Sequence, residues 1–301
     1  MSQSLNQKLI LGTVQLGLEY GINNSFGKPS LEESFSILDT AYDGGIRRLD
    51  TAEAYGNSQE VIGKFHANSI KRFRVITKYS SKTQEPGTSF SDHVKKSIRT
   101  LNVDRLEAYM FHSFGDYQTN TAALASLKDL RKNGLIEKIG VSVYTNNEIE
   151  ALLAENSGVD LIQLPFNLLD NVFQRGRMIR AARNRGVEIH VRSLFLQGLF
   201  MKERATLESP LDRLVPYLRM LDNLALQSKK PLEAIALNYG LQNELVQGVL
   251  FGVDTKQQLT ENLRLADSYP LNTTELNAID NIQVKEVELL NPVNWKSPVN
   301  K

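Results

Sequence analysis

Arg47-Arg48-Leu49-Asp50-Thr51-Ala52-Glu53-Ala54-Tyr55-Gly56 lies between two helical patterns, Leu31 to Asp43 before it and Ser58 to Ala67 after it. Gly44 and Gly45 stop the first helix, where a left-handed turn costs least without a Cβ. Arg47 to Thr51 is then a short strand, and the order reads helix, strand, helix. The same unit repeats in both directions. Strands are expected at Leu9 to Val14, Arg47 to Thr51, Arg74 to Lys78, Leu106 to His112, Ile136 to Val143, Leu161 to Pro165, Glu188 to Ser193 and Gly248 to Gly252. Helices are expected near Leu31 to Asp43, Ser58 to Ala67, Ser91 to Leu101, Ala122 to Asn133, Asn147 to Glu155, Gly176 to Arg185, Asp212 to Lys229, Pro231 to Asn243 and Lys256 to Ala266. Eight strands in strict alternation with helices favour an α/β fold of the closed (β/α)8 TIM barrel type over an open doubly wound sheet.

Punctuation keeps the same register. Gly134 and Gly186 follow helices, and Pro231 stands where a first-turn proline belongs, which splits the segment from Asp212 to Asn243 in two. No linker rich in Pro, Gly or Ser interrupts the chain, so residues 1–301 read as a single domain. The tail, residues 273–301, is expected to pack on the barrel, with a helix and an irregular end from Thr273 to Trp295 across its mouth.

Composition narrows the function. Among 301 residues, 35 Lys plus Arg balance 34 Asp plus Glu, with 41% hydrophobic residues, so neither nucleic acid nor a membrane surface is an expected partner. Zero cysteines exclude disulfides, thiolate metal sites, iron–sulfur clusters and cysteine nucleophiles, and no metal is expected. The apolar run Leu9 to Leu11 is far shorter than the roughly 7 to 15 residues of a signal-peptide core, and no stretch approaches the roughly 20 of a membrane helix. A cytoplasmic protein is expected, a monomer or small homo-oligomer acting on a small molecule.

In such a barrel, reactive groups gather at the C-terminal ends of the strands. Asp50 closes the second strand, Tyr55 follows five positions later, Lys78 ends the third strand and His112 the fourth. Each alone has a structural reading: a helix cap, a packed ring, a snorkelling amine, a satisfied imidazole. Together they fit one chemistry. Hydride reduction of a carbonyl needs a proton for the developing alkoxide, and a phenol of pKa about 10 donates it poorly unless its anion is stabilised. Lys78 beside Tyr55 would supply that stabilisation, Asp50 would keep Lys78 charged and aimed, and His112 would orient the carbonyl oxygen.

Leu11-Gly12-Thr13, Leu49 to Gly56, Thr77-Lys78, Phe111-His112, Ile139-Gly140-Val141-Ser142, Gln163, Ser193 with Gln197-Gly198-Leu199, and Glu261-Asn262 together resemble the aldo-keto reductase superfamily. The resemblance runs from about Leu9 to Ala266 in order, spacing and strand position. It implies an NADP(H)- or NAD(H)-dependent oxidoreductase that reduces a small-molecule carbonyl substrate, with the dinucleotide held without a Rossmann domain. It implies Asp50, Tyr55, Lys78 and His112 as the catalytic set, with Tyr55 as general acid. Gly12, Thr13, Asp50, Ser142, Gln163, Arg192, Ser193, Gln197, Gly252, Asp254, Gln258 and Asn262 would surround the cofactor, Ser142 and Gln163 binding its carboxamide.

Three positions depart from that pattern. Val143 stands where asparagine is usual, Arg192 where many members place an aromatic ring, and Gln258 where an arginine commonly meets the adenosine 2'-phosphate. Thr255-x-x-Gln258 is also a capping-box pattern, and both roles stay open there. Arg192 either faces the pocket, where an anionic or polyhydroxylated substrate would be its partner, or turns away to pair with an acidic neighbour such as Glu188 or a loop carboxylate. Two loop segments are equal candidates for a pocket wall, Glu19 to Lys28 with Tyr20 and Phe26, and Phe114-Gly115-Asp116-Tyr117. Gln15 to Ile22 resembles bacterial members some of which act on sugars. The alternatives are a cofactor-binding sensor on the same barrel, and a Schiff-base lyase using Lys78, which Asp50 opposes by keeping the amine protonated.

Overall fold

The computed structural model describes residues 5–20, 27–83, 87–154 and 157–295. Its strands are β1 (Leu9–Gly12), β2 (Arg48–Asp50), β3 (Arg74–Tyr79), β4 (Leu106–Phe111), β5 (Ile136–Ser142), β6 (Leu161–Pro165), β7 (Glu188–Arg192) and β8 (Gly248–Gly252). Each is parallel to the next, and β8 pairs with β1 to close the barrel. The helices are α1 (Val14–Gly17), α2 (Leu31–Asp43), α3 (Ser58–Asn68), α4 (Phe90–Leu101), α5 (Phe114–Thr119), α6 (Ala123–Lys132), α7 (Asn146–Ala154), α8 (Val172–Asn184), α9 (Val215–Ser228), α10 (Leu232–Leu241), α11 (Lys256–Ser268) and α12 (Thr273–Asp280). Capping boxes start three of them: Ser30 with Glu33, Ser89 with Asp92, and Asn272 with Glu275. No helix of the described residues is long and apolar enough to cross a membrane.

Side chains two apart on a strand share one face, so the barrel interior is built in layers. At the strand starts, Arg48 lies 3.9 Å from Glu107 and 3.8 Å from Glu188, while Lys138 lies 2.5 Å from Glu188 and 3.6 Å from Glu107. Above this ionic plug, Ile10, Ile76, Ala108, Met110, Leu161 and Leu250 form an apolar cluster separate from the larger core. On three of those strands the next position on the same face is polar. Lys78 follows Ile76, His112 follows Met110 and Gln163 follows Leu161, so the period that fills the barrel also delivers polar groups to its rim.

The structure differs from the sequence expectation in several places. β1 stops at Gly12, and Val14 opens the short helix α1. Phe114 to Tyr117 is no loop but the start of α5, capped by the Ser113 hydroxyl on the Asp116 amide. α8 starts at Val172, four residues before Gly176, because Asn171 caps the Phe173 and Gln174 amides. A 3-10 turn, Leu211–Leu214, precedes α9, and Pro231 serves as N-cap of α10 rather than as its first residue. The tail packs against α8, α9 and α10. Asn171 donates to the Ile279 and Ile282 carbonyls, Tyr239 to Asp280 and Tyr217 to Glu286.

Candidate active site

The turn after β2 is held from three sides. Thr51 N–H donates to the Ile76 carbonyl at 2.8 Å and Glu53 N–H to the Lys78 carbonyl at 3.0 Å, which ties the turn to β3. Beneath it, the Glu53 carboxylate accepts from the Tyr109 hydroxyl at 2.6 Å and pairs with His93 Nδ1 at 2.9 Å. On its outer side two glycines let α1 come into contact with it. A Cβ on Gly17 would stand 1.8 Å from the Tyr55 carbonyl, and Gly56, at φ +54°, would place one 2.4 Å from the Gly17 carbonyl. Tyr55 is therefore set by backbone packing.

Lys78 is buried and donates to Asp50 Oδ1 and to the Thr51 carbonyl, the latter at 3.1 Å. The second Asp50 oxygen accepts from Gln163 Nε2 at 2.8 Å. Asp50 thus orients both an ammonium and an amide, as expected for the ammonium. The Lys78 nitrogen lies 5.3 Å from the Tyr55 ring centre, and its hydrogen bonds go to Asp50 and Thr51 rather than to the phenol. His112 meets the Tyr55 ring edge-on, the centroids 5.4 Å apart. Burial pushes the Lys78 ammonium down, against the pull of Asp50. Burial, and then the Asp50 charge, pushes the Tyr55 hydroxyl well above the ordinary phenol value. Burial, and then Lys78, lowers His112 to about 4, so its imidazole is neutral near pH 7.

These side chains line one cavity of about 880 Å³ together with every other residue the sequence nominated: Gly12, Thr13, Ser142, Arg192, Ser193, Gln197, Gly252, Asp254, Gln258 and Asn262. Thr13 contributes differently from expectation. Its hydroxyl turns inward, donating to the Asp50 carbonyl and accepting from Ser58, both at 2.9 Å. At the start of α11, Thr255 caps the Gln258 amide, but the Gln258 side chain reaches back one residue further, to the Asp254 amide at 2.7 Å, so the capping box is shifted. Arg192 does not meet Glu188, which belongs to the ionic plug. It lies over the Tyr144 ring in the cavity.

The cavity also contains residues the sequence did not single out. Tyr144, two positions past Ser142, is one, and Gln15, Phe195, Met201 and Glu233 are others. Of the two candidate loops, Tyr20 lines the cavity, whereas Tyr117 packs against Phe111 and Phe114. Phe26 is outside the described residues. After β7, Ser193, Leu196 and Gln197 all have positive φ, 62°, 44° and 53°, in a loop that forms one wall. Backbone strain of this kind costs of order 1–3 kcal/mol per residue and clusters at ligand sites.

The model of the aldo/keto reductase family matches residues 8–284. The uncharacterized oxidoreductase YqkF of Bacillus subtilis is 25% identical, over 91% of this chain and 95% of its own. L-glyceraldehyde 3-phosphate reductase of Escherichia coli is 23% identical, over 87% of each chain. Among solved structures, the holo form of aldo-keto reductase AKR11C1 from Bacillus halodurans superposes with a TM-score of 0.74 at 23% identity, over 92% of each chain.

Proposed function

The chain belongs to the aldo/keto reductase family, an NAD(P)H-dependent oxidoreductase acting on small carbonyl compounds, and on that premise we propose that it reduces a hydroxylated, sugar-like aldehyde or ketone with Tyr55 as proton donor. One observation carries this reading: Asp50, Tyr55, Lys78 and His112 converge from successive strands on one end of the cavity. A relative named for L-glyceraldehyde 3-phosphate, a hydroxylated aldehyde, supports the substrate class.

The cavity fits a dinucleotide. Two buried acceptors on its wall, Gln15 Oε1 and Asp254 Oδ1, have no partner, which suits ribose hydroxyls as donors. A Cβ on Gly252 would stand 2.6 Å from the Gln15 amide, so the Gln15 side chain lies close against β8 at that wall. Ser142 and Gln163 would hold the carboxamide, and Asp254, Gln258 and Asn262 the adenosine end. When bound, NAD(P)H supplies the hydride.

The chain's own groups then handle orientation and the proton. His112, neutral, donates a hydrogen bond to the carbonyl oxygen and fixes which face of the carbon is presented. The Tyr55 hydroxyl, kept protonated by its surroundings, donates to the same oxygen and releases its proton as the alkoxide develops. Lys78, fixed by Asp50, keeps positive charge near the phenol at that moment, and its ion pair with Asp50 opposes service as an amine nucleophile. A panel of aldehydes and aldoses tested with NADH and NADPH, followed by cofactor absorbance, checks the reading. Turnover of hydroxylated members is the expected result; cofactor binding without turnover of any member would favour a sensor.

A further inference from the structure

Several arginines of the described residues are neutralised by carboxylates. Arg175 chelates Asp170 at 2.6 and 2.8 Å, Arg204 chelates Asp222, Arg264 chelates Glu261, and Arg48 stands between Glu107 and Glu188. Arg192 is different. It ends β7, half-buried at the cavity, with its guanidinium 4.2 Å from the centre of the Tyr144 ring. Its hydrogen bonds are long and go to neutral oxygens, the Val143 carbonyl at 3.2 Å and Ser193 Oγ at 3.4 Å. Among the described residues, no carboxylate lies within ion-pair distance of it. The anions around it are already matched: Asp50 by Lys78 and Gln163, and Asp170, on which Arg192 also acts, by Arg175.

The catalytic end of the cavity therefore holds two cations and one anion, with His112 neutral. The surplus charge is felt there: Arg192 acts on the ionisation of Tyr55, Lys78 and His112. A guanidinium over an aromatic ring that gives only two long hydrogen bonds to neutral oxygens has N–H donors left for a planar or tetrahedral oxyanion. An uncompensated charge in a partly desolvated site is unfavourable until such a partner arrives.

We propose that Arg192 on its Tyr144 platform binds an anionic group, a carboxylate or phosphate, carried by the carbonyl substrate itself. This rests on the carbonyl-reductase reading above. The cofactor phosphates are a second source of the same charge, and the experiment separates the two.

Succinic semialdehyde and butanal have the same carbon count and differ in a carboxylate. Wild type is expected to favour the charged aldehyde at least about tenfold in kcat/KM, mainly through KM, equivalent to about 1.4 kcal/mol. Arg192→Leu should erase that preference and Arg192→Lys should keep part of it. Titration of NADH and NADPH by intrinsic fluorescence should show cofactor affinity in Arg192→Leu within about threefold of wild type. Equal turnover of both aldehydes by wild type, or a preference that survives Arg192→Leu, overturns the proposal. Cofactor affinity about tenfold weaker in Arg192→Leu with the aldehyde ratio unchanged also overturns it and assigns the guanidinium to the cofactor. Calorimetric titration with succinate needs no turnover. If no aldehyde is reduced but succinate binding to wild type is lost in Arg192→Leu, the anion site stands and only the reductase reading fails. No succinate binding to wild type overturns the anion site.

Discussion

Tyr55 is legible in the sequence because it follows a strand end at fixed distance, as Asp50, Lys78 and His112 are legible because each ends or adjoins a strand. What a side chain meets there is less legible. The alternation of strands does not tell that Lys78 gives its hydrogen bonds to Asp50 and Thr51 rather than to the phenol, or that Arg192 crosses to Tyr144, because both depend on how neighbouring strands are staggered. Tyr55→Phe removes only the hydroxyl and leaves the ring packed against His112, so on the proposed mechanism kcat for carbonyl reduction should fall by about 10² to 10⁴ while cofactor affinity stays near wild type. Turnover within about threefold of wild type would remove Tyr55 from the mechanism. The environment also sets a pH dependence. His112 must be neutral beside Lys78, and its pKa is lowered to about 4 by burial and then by that ammonium. The Tyr55 hydroxyl, pushed above its usual range, stays protonated through neutral and mildly alkaline pH. Reductive kcat/KM should thus be flat from about pH 5 to 9 and fall only near pH 4; an acid limb near 6.5, the ordinary imidazole value, would contradict the burial argument.

Elements with a clear periodic run and clear flanks were legible, and the briefest helices were not. α2, β6 and β8 occupy the expected bounds, since each is a full periodic run flanked by Gly, Pro or an N-cap. α1 has four residues and α5 six, too few for a helical period to show, and the strained loop after β7 departs from any local preference of Ser193, Leu196 or Gln197. On the proposed cofactor reading, the start of α11 bears on cofactor choice. A 2'-phosphate needs cations, yet the cavity wall there presents Asp254, whose buried Oδ1 has no partner, together with Gln257, Gln258 and Glu261. Arg264 is held by both oxygens of Glu261, at 2.8 and 2.6 Å, and Lys256 does not line the cavity. NADPH should therefore bind no more than about 100-fold more tightly than NADH, or about 2.7 kcal/mol. Fluorescence titration of both cofactors measures it, and a preference above about 1000-fold would mean that the phosphate lies elsewhere.

At the scale of the whole molecule, the barrel divides its interior by height: an ionic plug at the strand starts, an apolar layer above it, and the reactive groups at the strand ends. The overall fold was legible from the strand count; the plug was not, because Arg48, Glu107, Lys138, Glu188 and His190 are scattered over the chain and look like ordinary surface charges one at a time. Three histidines, His66 on α3, His112 after β4 and His190 on β7, have one effect in common. Burial is the main cause that pushes His66, His112 and His190 below the ordinary value of 6.5, and His112 falls to about 4. In the unfolded chain they titrate near 6.5, so between that value and the folded ones the unfolded state binds more protons. Stability then rises with pH through this window: it is fully present above about 6.5 and is lost progressively as pH falls toward 4. With three such groups the slope reaches at most about 4 kcal/mol per pH unit. Glu33, held down by the Ser30 amide and hydroxyl, and Asp92, held down by Ser89, add losses of the same sign further into acid, while Asp170 and Asp254, raised by burial, act in the opposite sense. Urea midpoints should thus drop steadily from about pH 7 to 5. His190→Gln, which keeps a hydrogen-bonding side chain beside Arg48 and Glu188 without an imidazole to titrate, should flatten that slope. A midpoint that holds constant or rises on acidification would show that these imidazoles take up protons in the folded barrel as readily as in water.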